Sequence, residues 1–468
     1  MRKHLYPSQA GRVRFEPDLI RRYGGRGPRY TSYPTAVQFS DAFEVDVYRQ
    51  NAGASNAAAL PLSIYVHVPF CESLCYYCGC NKIVTRNQAR VERYLECLHR
   101  EIELQAELFD TTRLVEQLHF GGGTPTYLNR DQLAALMQKL DDEFGLDRTD
   151  RHEFSIEVDP RTVDYARIDE LAGLGFNRLS LGVQDFNRAV QAAVNRIQSV
   201  AEVRGLVDKA RQAGFHSISF DLIYGLPNQT ATSFERTLDI VTSMRPDRLA
   251  VYNYAHLPER FKGQRMIDAA ALPTANTKLD ILHLCIDKLG DAGYEYIGMD
   301  HFALPDDDLV VARNQGTLQR NFQGYSTHRH TDLVGLGVSS IGSIGRVFTQ
   351  NALTTGQYEK MLDDDRLPIA KGLSVDDDDH IRGEVIQELM CYDGVRFDAF
   401  GDAFGIDFRD YFASELERLT PLVDDGLVEL DEASIAITPN GRLLMRSVAM
   451  VFDRYLAGEE TQQFSKAI

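Results

Sequence analysis

Six short β-rich runs separated by amphipathic stretches set the strongest limit on how this chain can fold. The runs read as strands are 63–69, 116–121, 153–158, 178–184, 217–224 and 248–254. Between them, 90–108, 130–144, 164–174, 199–213 and 231–244 carry apolar residues at helical spacing. Such alternation predicts parallel βαβ units, because a parallel pair needs a crossover long enough to bring the chain back to the same sheet edge. Six units predict an α/β fold built as a partial (β/α)6 TIM-like barrel, and an eight-fold barrel follows if 294–300 and 333–338 add strands. Polar and glycine residues gather at the strand ends: Gly121-Gly-Gly-Thr-Pro125, Glu157-Val-Asp-Pro160, Gln184-Asp-Phe186, Asp221-Leu-Ile-Tyr-Gly225 and Tyr252-Asn-Tyr-Ala-His256. In parallel barrels the C-terminal strand ends form the active face.

The loop after the first strand reads Cys71-Glu-Ser-Leu-Cys75-Tyr-Tyr-Cys78. Four thiolates close a metal site, whereas three hold an iron–sulfur cube and leave one iron free for chemistry. The spacing resembles the signature of the radical S-adenosylmethionine (SAM) enzymes, whose free iron chelates the cofactor. The alternative, a structural zinc knuckle, lacks a matching His or Cys pair for its second half. Phe70, Tyr76 and Tyr77 can screen a cluster from water, and Tyr77 can stack on an adenine or simply pack. Gly121–Gly123 is expected to leave backbone amides open to a cofactor's amino acid end.

With 468 residues there is room for one large α/β domain and smaller units. No apolar stretch approaches the roughly 20 residues of a membrane span, and Met1-Arg-Lys-His-Leu-Tyr-Pro7 has no apolar segment behind it, so no secretory signal is expected. Of seven cysteines, four crowd between 71 and 80, which fits a reducing compartment and a metal site better than disulfides. A cytoplasmic location is therefore expected. A net charge of −18 argues against nucleic acid as a partner.

The expected domains are a basic arm over 1–60, the barrel and its extension over 61–365, and a mostly helical unit over 366–468. Residues 1–30 hold Arg2, Lys3, Arg12, Arg14, Arg21, Arg22, Arg26 and Arg29 against Glu16 and Asp18. This segment is either a solvated arm or a cover strand offering guanidinium groups, Arg22, Arg26 and Arg29 among them, to a polycarboxylate. Residues 54–60 read as a linker. Ser374-Val-Asp-Asp-Asp-Asp379 reads as a helix start with a serine cap and first-turn acids. Helices followed by a hairpin at 426–431 and 434–438 predict a winged-helix-like C-terminal unit.

The run Tyr65-Val-His-Val-Pro-Phe-Cys-Glu-Ser-Leu-Cys-Tyr-Tyr-Cys-Gly-Cys-Asn-Lys82 closely resembles the oxygen-independent coproporphyrinogen III oxidase family. So do Gly121–Thr126, Gly182-Val-Gln-Asp-Phe186, Asp221–Pro227, Asn253–Pro258, Gly298–Ala303 and Arg320-Asn-Phe-Gln-Gly-Tyr325. The resemblance runs from Pro28–Pro34 to the tail and implies a radical SAM barrel. It implies that Cys71, Cys75 and Cys78 ligate a [4Fe–4S] cluster. Tyr65, Tyr77, Gly122, Glu157 and Ile341 match positions around the cluster-bound SAM. Gly123, Thr124, Gln184, Arg196, Asp221 and Ala255 match positions around a second SAM. Cys80 matches a family cysteine that is not a ligand, whereas related heme chaperones usually carry an aromatic there. The Pro28–Pro34 segment also places the chain with the oxidases.

The implied reaction is oxidative decarboxylation of two propionates of coproporphyrinogen III to vinyl groups, giving protoporphyrinogen IX in heme biosynthesis. It would proceed through a 5′-deoxyadenosyl radical made from SAM, with an unidentified electron donor and acceptor and a monomeric enzyme. The rival reading is a heme carrier using His67, His256 or His301 as axial ligands. A third, a simple electron-transfer protein, leaves the glycine loop and rim carboxylates unexplained.

Overall fold

The computed structural model describes residues 12–110, 112–329 and 331–456. The described chain falls into two compact units, and the division is not the contiguous one expected at 60 and 365. The first holds residues 38–274 and 330–375, and the second holds residues up to 37, 275–329 and 376 onward.

The first unit is built on six strands: β1 (Leu62–Val68), β2 (Val115–Gly122), β3 (Glu153–Val158), β4 (Arg178–Gln184), β5 (Ser217–Tyr224) and β6 (Arg248–Asn253). Each pairs in parallel with the next. Four more strands follow in the chain: β7 (Asp332–Leu336), β8 (Ile341–Ile344), β9 (Val347–Asn351) and β10 (Ile369–Ser374). Strand β7 adds in parallel to the free edge of β1, and β8, β9 and β10 extend that edge antiparallel. Crossover helices are α1 (Gln88–Ala106), α2 (Arg130–Phe144), α3 (Tyr165–Gly173), α4 (Val200–Gln212) and α5 (Ala231–Met244). Their starts are local chemistry. Asn129 with Gln132, Ser199 with Glu202 and Thr230 with Ser233 form reciprocal capping boxes, and Asp164 caps α3. Apolar residues at helical spacing then bury one face of each, such as Leu133, Leu136, Met137 and Leu140 of α2.

Two expectations are corrected in this unit. Residues 54–60 are not a free linker, because helix Val45–Asn56 runs through their first half. Buried Arg113 ties the segment down, donating to Ser55 Oγ (3.1 Å), Asn56 Oδ1 (3.0 Å) and the Leu60 carbonyl (2.7 Å) while pairing with Asp332 (2.5 Å). Residues 369–374 are a sheet strand rather than the start of a helical unit, since their backbone pairs with β9.

The second unit contains the hairpin Glu295–Gly298 and His301–Ala303, which is antiparallel. Residues 294–300 thus do not supply a further parallel barrel strand. Helix Asp377–Tyr392 packs beside this region: Tyr325 Oη donates to the Met390 carbonyl at 2.9 Å, and Tyr392 Oη donates to the Leu318 carbonyl at 2.5 Å. These buried bonds explain why 275–329 groups with the C-terminal segment. That helix is capped by Asp376, which accepts from Asp379 N at 2.7 Å, and not by Ser374, which ends β10. The three strands Gly394–Arg396, Ser434–Ile437 and Val428–Leu430 pair antiparallel in that order as the wing. Among the described residues no helix is long and apolar enough to cross a membrane.

Glu101 of α1 is fully buried and accepts from Gly337 N (2.7 Å), Asn351 Nδ2 (2.6 Å) and Tyr358 Oη (2.5 Å), tying the β7–β9 edge to the barrel helices. Glu101→Ala leaves Gly337 N and Tyr358 Oη buried without their acceptor, while Asn351 Nδ2 keeps the Gly337 carbonyl (2.9 Å) and Ser340 Oγ (3.0 Å). It is expected to lower the unfolding free energy by about 2–4 kcal/mol, read as a lower urea midpoint at unchanged slope.

Candidate active site

The cysteine loop leaves β1 and is held on three sides. Phe70 and Cys71 pair in parallel with Ile83 and Val84. Tyr76 N donates to the Val194 carbonyl at 3.0 Å, and Asn195 Nδ2 donates to the Leu74 carbonyl at 2.8 Å. The glycine strand end packs beneath it: Gly123 N donates to the Val68 carbonyl and Thr124 N to the Phe70 carbonyl, each at 2.8 Å. This corrects the expectation of open amides, since Gly122 N also donates inward, to Glu157 Oε2 at 3.2 Å. The glycines are needed for close packing instead. A Cβ on Gly122 (φ +114°) would lie 2.6 Å from the His67 ring, and one on Gly123 would lie 2.7 Å from the Phe70 carbonyl oxygen.

A cavity of about 170 Å³ lies above these strand ends. Its walls bring together Cys71, Cys75, Tyr77, Cys78, Gly122, Gly123, Thr124, Glu157, Gln184, Arg196 and Asp221. Most of the residues singled out in the sequence thus converge. Three do not line it. Tyr65 lies one layer behind, its ring 5.7 Å from that of His119 and its hydroxyl 3.1 Å from His67 Nδ1. Ala255 is reached through Gln264, whose amide donates both to its carbonyl (3.2 Å) and to that of Tyr77 (2.9 Å). Ile341 begins β8, with its carbonyl 2.6 Å from where a Cβ on Gly335 would stand, and Gly335 pairs with Tyr65.

Asp159 and Arg161 were not assigned roles from sequence, although Asp159 lay in a quoted strand-end motif. Asp159 Oδ2 bridges Arg161 Nη2 (2.6 Å) and Arg196 Nη1 (3.0 Å), and both guanidinium groups reach Cys75 Sγ, at 3.3 and 3.4 Å. Burial opposes the charge on Asp159, but the hydrogen bond from Arg161 and the two guanidinium charges hold it below the usual carboxylate range. Arg196 also donates to the Gly182 carbonyl at 2.7 Å. A guanidinium two residues after an acid is the signal that could have marked Arg161.

The carboxylates of the cavity are tuned apart. Burial pushes Glu157 up, yet the hydrogen bond and charge from His119, with the Gly122 amide, keep it low and ionised. Burial and the nearby Glu157 charge push Asp221 up to about 7, with only Ser180 Oγ donating to it, at 3.3 Å. On the loop, burial raises the Cys71 thiol to about 11, whereas the hydrogen bond from Cys80 and the charge of Lys82 lower Cys78 to about 6. His67 is held at both ring nitrogens, Nε2 by the Asn81 carbonyl at 3.0 Å, and His256 Nδ1 meets Tyr254 Oη at 2.8 Å. His67 thus has no ring nitrogen left for an axial bond.

Among the described residues no group of three or more His, Cys, Asp or Glu is placed to hold one metal ion. The radical SAM superfamily profile matches residues 65–241, and the HemN C-terminal domain profile matches 375–444. The chain is 51% identical over 456 residues to the oxygen-independent coproporphyrinogen III oxidase of Pseudomonas aeruginosa, spanning 97% of this chain and 99% of that protein. It is 49% identical over 451 residues to that of Escherichia coli K12, spanning 96% and 98%. The chain belongs to the oxygen-independent coproporphyrinogen III oxidase family. A solved structure described as coproporphyrinogen III oxidase (HemN) from Escherichia coli, a radical SAM enzyme, superposes with a TM-score of 0.91 at 47% identity, covering 95% of this chain and 100% of that one.

The family implies a [4Fe–4S] cluster and SAM, and the residues of the cavity fit both. Three thiols lie on one pinned loop, and two guanidinium groups stand beside Cys75 to balance thiolate charge. Gln184, 8% exposed and at φ +58°, holds its Oε1 buried without a donor, as a ligand-binding acceptor would.

Because the folded state raises Asp221 from 3.8 to about 7, its ionisation works against folding. Stability present at low pH is lost as pH rises through about 7. Asp221→Asn removes that loss, so the cofactor-free variant should melt above wild type at pH 8, with the gap closing towards pH 4. Parallel melting curves at both pH values would contradict the assignment.

Proposed function

We propose that this protein converts coproporphyrinogen III to protoporphyrinogen IX by oxygen-independent oxidative decarboxylation of two propionates to vinyl groups. The observation that carries this reading is near-full-length identity to the oxidases, with the cysteine loop and the strand-end acceptors on one cavity. Cys71, Cys75 and Cys78 would hold the cluster. When bound, the reduced cluster and SAM supply the radical that takes a hydrogen from the propionate β-carbon.

The chain's own residues position the reactants and exclude water. Ionised Glu157 accepts from an ammonium group, and the Tyr77 ring offers a face for adenine. Tyr65, Gly122 and Ile341 complete the surroundings of the cluster-bound SAM. Gly123, Thr124, Gln184, Arg196, Asp221 and Ala255 would form the surroundings of a second SAM. In that role Arg196 would offer a cofactor carboxylate the one donor not already given to Asp159, Cys75 and the Gly182 carbonyl, since a guanidinium carries five. The protein would work as a cytoplasmic monomer, with separate donors and acceptors of electrons.

The test is anaerobic reconstitution with dithionite, SAM, coproporphyrinogen III and a cell extract as electron acceptor, followed by chromatography. Divinyl product alongside 5′-deoxyadenosine is expected, with both abolished by Cys71→Ala. Cleavage of SAM without vinyl formation would reject the substrate. Tight heme binding with no SAM turnover would turn the reading into a carrier.

A further inference from the structure

The second unit buries an arginine that nothing among the described residues satisfies. Arg446, on the short helix Met445–Ala449, is 2% exposed, and its Nε, Nη1 and Nη2 all lack both a partner and solvent. Arg320, 3% exposed, donates Nε to the Arg29 carbonyl at 2.9 Å and lies 4.9 Å from the centre of the Tyr325 ring, but its Nη1 has no acceptor. Arg29 pairs with Asp300. The neighbouring Tyr30 hydroxyl already donates to Asp453 at 3.0 Å.

Every one of these unmatched atoms is a donor, so what fits among them is an acceptor. The charges of Arg29, Arg320 and Arg446 all act on one another, with Asp300 paired to Arg29, so what fits beside Arg446 is also anionic. Burial and the charge of Arg29, with that of Arg320, bring Arg446 down to about 10, the cost of a cation left without its counter-charge. A core needs no such residue, since an apolar side chain of the same volume is more stable there. The planar fork of arginine matches a carboxylate through two parallel hydrogen bonds. Arg29, with a side chain 39% exposed, is the member of the group that meets solvent. Of the basic-arm residues, Arg22 is held by Asp425 at 2.7 Å and Arg12 by Asp291 at 2.9 Å.

We propose that Arg446 and Arg320, with Arg29 at the entrance, form a subsite for a carboxylate arm of the substrate, a propionate of a polycarboxylate macrocycle. This assignment rests on the function proposed above. These are positioning residues, and they act on affinity rather than on the reacting atoms.

The test uses the reconstituted enzyme with Arg446→Met and, independently, Arg320→Met. The Km for coproporphyrinogen III should rise about ten- to a hundredfold, with kcat at saturation little changed. Fluorescence titration with coproporphyrin III should show the same loss of affinity, and Arg446→Lys should recover part of it. The melting temperature of Arg446→Met should equal or exceed wild type, because a buried unpaired charge is gone. A role confined to structure would lower it. Wild-type affinity for coproporphyrin III in both methionine variants overturns the subsite while leaving the proposed reaction standing. If Arg446→Met fails to fold, Arg446→Lys and Arg320→Met are read in the same titration, and unchanged affinity in both has the same force. A wild-type protein that forms no vinyl product yet binds coproporphyrin III through Arg446 overturns the reaction and keeps the subsite.

Discussion

Asp159 is the point on which the cavity depends. Its carboxylate holds Arg161 and Arg196 together, and those two guanidinium groups meet the sulfur of Cys75. Two buried cations side by side repel, and the attraction that keeps them there is local. The arrangement ties the end of β3 to the segment after β4, and through Arg196 to the Gly182 carbonyl on β4 itself. Asn195, next to Arg196, holds the cysteine loop by its Leu74 carbonyl. Position of the thiols is thus set by strand ends that are themselves fixed by the sheet, which is the rigid support a reactive centre requires.

Much of this was legible in sequence because the signals were local. Helix starts at 130, 165, 200 and 231 follow from Asn129, Asp164, Ser199 and Thr230, and the strands at 153–158, 178–184 and 217–224 from their β-rich runs. What sequence could not supply were pairings between distant segments. Residues 369–374 become a strand only because β9 offers an edge, and 54–60 is ordered only because Arg113 reaches it. The glycine run shows the same limit. Its composition is readable, but whether it opens amides to a ligand or admits a neighbouring backbone depends on what packs against it. Here it is His67 and the Phe70 carbonyl. Asp159 and Arg161 escaped assignment because their role lies in their meeting with Arg196, thirty-odd residues on.

Two of the carboxylates lining the cavity, Glu157 and Asp221, show how one environment yields two protonation states. Both stand in the part-buried wall of the cavity, and desolvation there pushes each up. His119 and the Gly122 amide supply Glu157 with donors, and its charge persists. Asp221 receives one weak donor and faces the charge of Glu157, so its proton stays to near neutrality. Division of this kind suits a cavity that must accept from a cationic ligand at one point without repelling it elsewhere by excess negative charge.

Net charge is a poor guide to what such a chain binds. At −18 the whole is strongly acidic, yet Arg446 is buried with no acceptor for any of its three side-chain nitrogens. Surface acids are screened by salt within about 10 Å, whereas Arg446 and Arg320 act in a medium that screens them little. A polyanionic ligand arriving from solution meets a repelling exterior, and only a geometry that delivers a carboxylate to the guanidinium forks recovers the lost energy. Selectivity against anions that lack that geometry follows from the same cost. The instability of leaving those forks unmatched is what makes the right ligand worth binding.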